Sequence, residues 1–244
     1  MLKAWLRFFR VVNLPTVPGD VLVGAAAVIV GEGAASGEAE SFPLRVAATC
    51  VASVFLYMFG LADNDIVGVK EDKGRPIVDG QISLGAARIA RGFCLFGTLI
   101  SGAVANLPSA WWIAAFVLAV AVVIYNRTKW CLLMGLCRGL NVWCGGASVC
   151  TSFTSGQESA SPLLWLGVCA AVWTVYIAAV TKYSEGEEMD AAKKRRVGFL
   201  IGAIVYLQLI ALLIFRVDPL LLTGAAFLVI LRLMKRFLPE VSAS

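Results

Sequence analysis

Two long stretches with almost no charged residues limit the possible folds of this chain more than any other feature. Residues 92–126 contain no Asp, Glu, Lys or Arg, and residues 139–181 contain only Glu158. One helix needs about 20 apolar residues to cross a bilayer, so each stretch can supply more than one crossing. Of the 244 residues, 59% are hydrophobic and 15% are charged, whereas soluble domains are about 25% charged. The sequence therefore predicts a polytopic membrane protein that forms one domain over residues 1–244.

Missing residue types exclude several kinds of chemistry. The sequence has no histidine, which excludes a Ser-His-Asp hydrolase, a His-ligated haem and a His-based zinc site. The seven cysteines lie in apolar segments without a CxxC pair, and we expect buried, unreactive thiols. No nucleic-acid partner is expected, because the net charge of +5 is explained by membrane orientation.

Charge-poor runs separated by turn residues predict an all-α protein with about eight membrane-spanning helices. The predicted spans lie near residues 14–31, 45–63, 87–105, 109–126, 131–153, 162–181, 197–215 and 219–237. Residues 1–10 predict a short amphipathic helix at the membrane surface. On this helix we expect Trp5, Phe8 and Phe9 to lie in lipid, and Lys3, Arg7 and Arg10 to lie in water.

The distribution of Lys and Arg predicts the orientation. Eighteen of the 21 basic residues fall on one side of the predicted membrane, at both termini and in the loops after spans 2, 4 and 6. Because basic residues accumulate in cytoplasmic loops, both termini should be cytoplasmic. The chain is then an integral protein of the lipid bilayer, in a bacterial inner (cytoplasmic) membrane.

Acidic residues gather where two spans leave the membrane. Asn64 and Asp65 end span 2, and Asp72 follows Asp65 by seven residues, a spacing that places both carboxylates on one face of a continuing helix. Magnesium typically takes one or two carboxylates together with water and phosphate. A second acidic cluster follows span 6 at residues 185–190. Either a metal-phosphate site or a plain solvated loop is consistent with this spacing.

Polar residues also lie inside two spans. Asp20 lies in span 1, and Arg138 and Asn141 lie three residues apart in span 5, on one helix face. An ionisable residue within a membrane indicates a functional site by default. The alternative is an internal Asp–Arg pair that only fixes helix packing.

Six segments form an ordered series of motifs. Residues 10–24 (RVVNLPTVPGDVLVG) open the series, followed by NDIVGVKED at 64–72 and RPIVDGQIS at 75–83. Tyr125 and Lys129 then form a YxxxK pair, and MGLCRGLN at 134–141 and TKYSEGEE at 181–188 complete the series. In this order the motifs resemble those of the UbiA superfamily of intramembrane prenyltransferases, in particular its EboC-like branch.

The resemblance implies a helical fold around a central cavity, with a prenyl diphosphate and Mg²⁺ at its cytoplasmic mouth. It implies four metal ligands: Asn64, Asp65, Asp72 and Glu185. It implies that the catalytic residues are Asp65, Asp72, Lys129 and Arg138. It also implies that the substrate contacts are Asn13, Asp20, Asn64, Arg75, Asn141, Lys182, Glu185 and Glu188.

The leading hypothesis is a prenyltransferase that transfers the prenyl group to a lipophilic or aromatic acceptor. The alternative is a non-catalytic UbiA-like protein that binds a lipophilic metabolite or helps to export it. A weaker third hypothesis is a small transporter in which Asp20 and Arg138 couple transport to charge movement. Gly68 stands where the family has the middle Asp of NDxxDxxxD, and the number of carboxylates facing the metal separates the first two hypotheses.

Overall fold

The computed structural model describes residues 1–32, 42–70, 74–150, 160–185 and 191–215. Within these residues the chain forms eight α-helices and two short 3-10 turns, at Val11–Asn13 and Gly68–Lys70. The helices are α1 Leu2–Phe8, α2 Thr16–Glu32, α3 Phe42–Val67, α4 Leu84–Val104, α5 Ser109–Thr128, α6 Cys131–Val149, α7 Ala160–Ser184 and α8 Ala191–Ile214. The predicted all-helical fold is confirmed, and the predicted span at 219–237 lies outside the described residues.

Five helices of the described part are long and apolar enough to cross a membrane. They are α3, α4, α5, the Pro162–Ser184 part of α7 and the Arg195–Ile214 part of α8. The apolar part of α2, Thr16–Val30, is shorter. Helix α6 is not among the five, because Arg138 and Asn141 lower its hydropathy, and most of its residues are buried within the protein.

Helix α6 is the centre of the helical packing. It contacts α2, α3, α5 and α7. Glycines allow the close approach of α2 and α6, because a Cβ atom at Gly24 would collide with the carbonyl group of Val142, and one at Gly145 with that of Val21. A polar helix at the centre is thereby shielded from lipid by its apolar neighbours.

The outer faces of α4 and α5 carry large apolar side chains. Phe93 and Phe96 on α4 and Phe116 on α5 are exposed, with 65%, 58% and 70% of their surface accessible. Apolar surface on this scale is unfavourable in water but suits contact with lipid acyl chains.

Helix α1 packs against protein through one of its aromatic residues. Phe8 is fully buried in a cluster with Ala62, Ile77 and Ile82, and Trp5 and Phe9 are partly buried against the same cluster. The expectation that Phe8 lies in lipid is wrong, because the segment that follows Gly74 supplies an apolar surface for α1. Arg10, also predicted to lie in water, is partly exposed and forms an ion pair with the buried carboxylate of Asp65.

Helix α3 continues beyond its predicted end. It reaches Val67, and a 3-10 turn begins at Gly68. Asn64 and Asp65 therefore lie in the last α-helical turn, where helical geometry fixes both side chains. Asp72 lies outside the described residues.

Candidate functional site

The end of α3 carries the amide and the carboxylate of the first acidic motif. Asn64 accepts a hydrogen bond from Lys129, which lies just after α5 with a left-handed backbone (φ 53°). Asp65, only 3% exposed, forms an ion pair with Arg75 and a second one, at 3.4 Å, with Arg10. Four predicted site residues, Asn64, Asp65, Arg75 and Lys129, thus lie together at the end of α3. We call the group Arg10, Asn64, Asp65, Arg75 and Lys129 the mouth cluster.

Two local structures carry the arginines to the mouth cluster. Arg75 follows Gly74, whose φ of 82° is a conformation that glycine adopts readily. Arg10 has a left-handed backbone (φ 43°) that turns the chain after α1. Arg7 donates a hydrogen bond of 3.3 Å to the carbonyl oxygen of Gly74. Helix α1 and the segment after Gly74 therefore position the basic groups jointly.

The mouth cluster carries a net positive charge. Three basic side chains face one carboxylate and one amide, which favours a polyanionic ligand. Arginine also matches phosphate geometry through its planar set of donors. Arg10 was not among the predicted site residues, although it is the first residue of the motif at residues 10–24.

A separate ionic group lies one residue before Asn64. Asp63, 1% exposed, is 2.8 Å from Arg91 and 3.6 Å from Arg127, and it accepts a hydrogen bond of 2.9 Å from Asn126. Asn126 also donates to the carbonyl oxygen of Gly60 at 3.0 Å. This group ties the cytoplasmic ends of α3, α4 and α5 together and thereby supports the mouth cluster.

The polar residues predicted inside the spans form a second, deeper group. Asp20 is fully buried and pairs with Arg138, whose Nε and Nη2 atoms lie 3.0 and 3.1 Å from the two carboxylate oxygens. Asp20 also accepts hydrogen bonds from Asn141, Trp173 and Gln208 at 3.2, 2.9 and 2.7 Å. The structure therefore contains the internal Asp–Arg pair, and the predicted contact of Arg138 with diphosphate stays a prediction.

Sequence reasoning missed Trp173 and Gln208 in this deeper group. Gln208 lies on the apolar helix α8 and is 2% exposed, and its Nε2 atom also donates to the carbonyl oxygen of Thr16 at 2.9 Å. A glutamine within an apolar span is the signal that could have identified it. The indole of Trp173 gives no comparable signal, because tryptophan is common in membrane helices.

A cavity of about 110 Å³ connects the two groups. Arg10, Asn64 and Tyr125 line it at the mouth cluster, and Ser53, Arg138 and Asn141 line it at the deeper group. Between these ends its walls are mainly apolar, with Leu56, Leu61, Leu118, Val122 and Met134. An elongated apolar ligand with a charged head therefore fits the cavity better than a compact polar one.

The remaining predicted residues lie apart from these contacts. Lys182 and Glu185 form an exposed ion pair of 2.9 Å with each other, at the end of α7. Asn13 ends the first 3-10 turn, and its carbonyl oxygen accepts a hydrogen bond of 2.8 Å from Thr16. Glu188 lies outside the described residues, as Asp72 does.

The mouth cluster contains two side chains with oxygen atoms that could bind Mg²⁺, Asn64 and Asp65. Within the described residues, no group of three or more His, Cys, Asp and Glu side chains could hold a metal. Asn64 and Asp65 nevertheless offer two neighbouring oxygen ligands, and Mg²⁺ completes its shell with water and substrate phosphate. Lys129, Arg10 and Arg75 already contact these two oxygen donors, so the donor set fits a magnesium ion only together with a phosphorylated ligand that takes up those cations.

Comparisons with known proteins agree on the family. The model of the UbiA prenyltransferase family matches residues 24–238. A structure of digeranylgeranylglyceryl phosphate synthase in membranes has 16% identity and a TM-score of 0.56, covering 98% of this chain and 88% of that one. A UbiA homolog from Archaeoglobus fulgidus bound to GPP and Mg²⁺ has 16% identity and a TM-score of 0.50, covering 99% of this chain and 100% of that one. No curated protein sequence matches the chain significantly. With most of its length matched by the family model, the chain belongs to the UbiA prenyltransferase family.

Proposed function

We propose that this protein is a membrane prenyltransferase. It binds an isoprenoid diphosphate with Mg²⁺ and transfers the prenyl group to a lipophilic or aromatic acceptor. The observation that carries the proposal is an apolar cavity that reaches Arg10 and Asn64 of the mouth cluster, the group in which three basic side chains meet one carboxylate and one amide. The solved structure of a family homolog with GPP and Mg²⁺ supports the same ligand class.

In this proposal the mouth cluster holds the diphosphate. Asn64 and Asp65 would bind Mg²⁺, with Asp72 and Glu185 as the further ligands that the motifs suggest. Magnesium would supply positive charge to the departing diphosphate. Lys129, Arg75 and Arg10 add positive charge beside the same oxygen atoms, and fixed charges of this kind stabilise the transition state because they need no reorganisation. Asn13 and Lys182 are further contacts proposed for the diphosphate.

The cavity walls have a separate role. The carbon–oxygen bond to diphosphate breaks, and its electron pair leaves with the diphosphate. The acceptor forms a bond to the same carbon and loses a proton. Leu56, Leu118, Val122 and Met134 surround the prenyl chain, and an apolar wall keeps water from competing with the acceptor.

Diphosphate release from labelled geranyl diphosphate, with and without Mg²⁺, tests the proposal. We expect release that depends on Mg²⁺ in the wild type. Asp65→Asn should slow it by about 100-fold or more, the loss typical when one stabilising group is removed from an active site. Asp79→Asn is the matched control, because Asp79 is an exposed carboxylate after the first acidic motif. Release without Mg²⁺, or equal losses in the two variants, would contradict the proposal.

One observation favours the second candidate, a non-catalytic protein that binds or helps to export a lipophilic metabolite. Asp65 is already paired with two arginines, Arg10 and Arg75, and these cations replace the charge that a metal would supply. Such a protein would bind geranyl diphosphate equally with and without Mg²⁺ and release no diphosphate.

Membership of the EboC-like branch is also a proposal, and it rests on MGLCRGLN and TKYSEGEE.

A further inference from the structure

The inner end of the cavity is polar, although it lies within the apolar part of the bundle. Ser53, Arg138 and Asn141 line this end and are 5%, 8% and 4% exposed. A prenyl chain offers no polar atom to these side chains. The contacts of Arg138 and Asn141 with Asp20 account for part of this polarity, but not for Ser53 or for the amide oxygen of Asn141.

The amide of Asn141 has a hydrogen-bond acceptor without a partner. Its Nδ2 atom donates to the carbonyl oxygen of Val17 at 3.0 Å and to Asp20 at 3.2 Å. Both partners only accept hydrogen bonds, so the amide orientation is fixed. Its Oδ1 atom is buried and has no hydrogen bond within the described part of the chain. A buried acceptor of this kind costs about 1–3 kcal/mol unless a donor reaches it.

Arg138 and Ser53 supply hydrogen-bond donors to the same cavity that Asn141 lines. The contacts of Arg138 with Thr16 and Asp20 use Nε and Nη2, which leaves Nη1 available to a ligand in the cavity. The hydroxyl group of Ser53 can donate and accept. Because Asp20 balances the charge of Arg138, a carboxylate ligand would add an unbalanced charge and would also face the oxygen of Asn141. The set therefore selects a neutral group that both donates and accepts.

Helix geometry separates this set from the mouth cluster. Ser53 precedes Asn64 by eleven residues on α3, which corresponds to about 16 Å at 1.5 Å per residue. Asn141 follows the start of α6 by ten residues, which corresponds to about 15 Å. The two helices thus place Ser53 and Asn141 at similar depths, with Arg138, seven residues after the start of α6, at about 10 Å.

We propose that the inner end of the cavity, formed by Ser53, Arg138 and Asn141, binds the hydroxyl group of a neutral lipophilic ligand. The hydroxyl hydrogen is donated to Asn141 Oδ1, and the hydroxyl oxygen accepts from Arg138 or Ser53. This site extends the proposed function, since it needs neither diphosphate nor Mg²⁺. An acceptor substrate and an exported metabolite would use it equally.

Two neutral probes test the site in the purified full-length protein, by calorimetry without Mg²⁺. Farnesol has a hydroxyl group that donates, and farnesyl methyl ether has the same chain without a donor. We expect the wild type to bind farnesol about 2- to 10-fold more tightly than the ether, the effect of one net hydrogen bond. Ser53→Ala should reduce farnesol affinity by a factor in the same range and leave ether affinity less affected. Asn141→Leu should make the two affinities equal.

Thr49→Val is the matched control. Thr49 lies one helical turn from Ser53 on α3 and is fully buried, with a hydroxyl that has no partner in the described residues and does not line the cavity. This variant should bind both probes as the wild type does. Equal affinities of the wild type for farnesol and its ether would overturn the proposal, even if Asn141→Leu does not fold. A loss of farnesol affinity in Thr49→Val as large as the loss in Ser53→Ala would also overturn the proposal. A lack of diphosphate release would contradict the proposed prenyltransferase activity but not this hydroxyl site, because neither probe carries a diphosphate.

Discussion

Asp20 illustrates how much one side chain in this protein depends on distant parts of the chain. Its donors come from three other helices, with Arg138 and Asn141 on α6, Trp173 on α7 and Gln208 on α8. A fully buried carboxylate is tolerated only when such partners compensate for lost hydration. The group therefore fixes the positions of four helices, α2, α6, α7 and α8, relative to one another.

The stability of single and double variants tests this role. Arg138→Met leaves Asp20 without its counter-charge and should lower the free energy of unfolding by about 3–5 kcal/mol. Asp20→Asn should cost a similar amount, because Arg138 then lacks a carboxylate. The combination of both changes should recover most of the loss, as replacing both members of a buried pair is often near neutral.

Thermal unfolding of the three variants in one detergent is the measurement. The expected order places the double variant above both single variants. If the losses simply add in the double variant, Asp20 and Arg138 act independently, and the pair does not stabilise the helical packing.

At the scale of elements, α1 connects the N-terminus to the mouth cluster. Phe8 packs against Ile77 and Ile82, and Arg7 binds the carbonyl oxygen of Gly74. These contacts hold the segment that carries Arg75. Loss of the aromatic contact should therefore loosen the segment from Gly74 to Ser83 more than the helices around it.

Hydrogen–deuterium exchange tests the contact between α1 and this segment. Phe8→Ala removes a fully buried ring, a change that costs about 3–5 kcal/mol in well-packed cores, and should speed exchange at residues 74–83. Leu2→Ala is the control, because Leu2 lies on the same helix and is 74% exposed. Equal exchange at residues 74–83 in the two variants would show that α1 does not hold this segment.

The elements themselves were largely predictable from the sequence. Predicted spans at 45–63 and 109–126 correspond to Phe42–Val67 and Ser109–Thr128, since hydropathy and turn residues determine where membrane helices form. The partners of polar side chains were harder to predict. Arg10 reaches Asp65 across 55 positions, and Gln208 reaches Asp20 across 188, and no local pattern encodes such contacts. Phe8 was misplaced for the same reason, because an aromatic residue at an interface suits lipid and protein equally.

For the whole molecule, the positive charges predict the orientation. A reporter fused after Ser244 should be cytoplasmic, and one inserted between Gly33 and Ser41 should be external, because 18 of the 21 basic residues fall on one predicted side. Accessibility of the reporters to a membrane-impermeant reagent is the measurement. A cytoplasmic signal from residues 33–41 would contradict the predicted arrangement of spans.

The central claim is that the mouth cluster and the apolar walls of the cavity together form a binding site for a prenyl diphosphate. Its apolar walls should bind the chain, and its mouth cluster should bind the charged head. Val122 lines the cavity on α5, and Val120 on the same helix is 41% exposed on the outer face. The same bulky substitution at these two positions therefore distinguishes an effect of filling the cavity from a general effect on the helix.

The most direct measurement is equilibrium binding of geranyl diphosphate, with Mg²⁺, to the wild type, Val122→Phe and Val120→Phe. Val122→Phe fills the cavity and should weaken binding by about 10-fold or more, since overpacking costs about 1–3 kcal/mol. Val120→Phe should bind as the wild type does, and inorganic diphosphate should bind all three proteins equally. Wild-type affinity for geranyl diphosphate in Val122→Phe, or no binding by the wild type, would contradict the account.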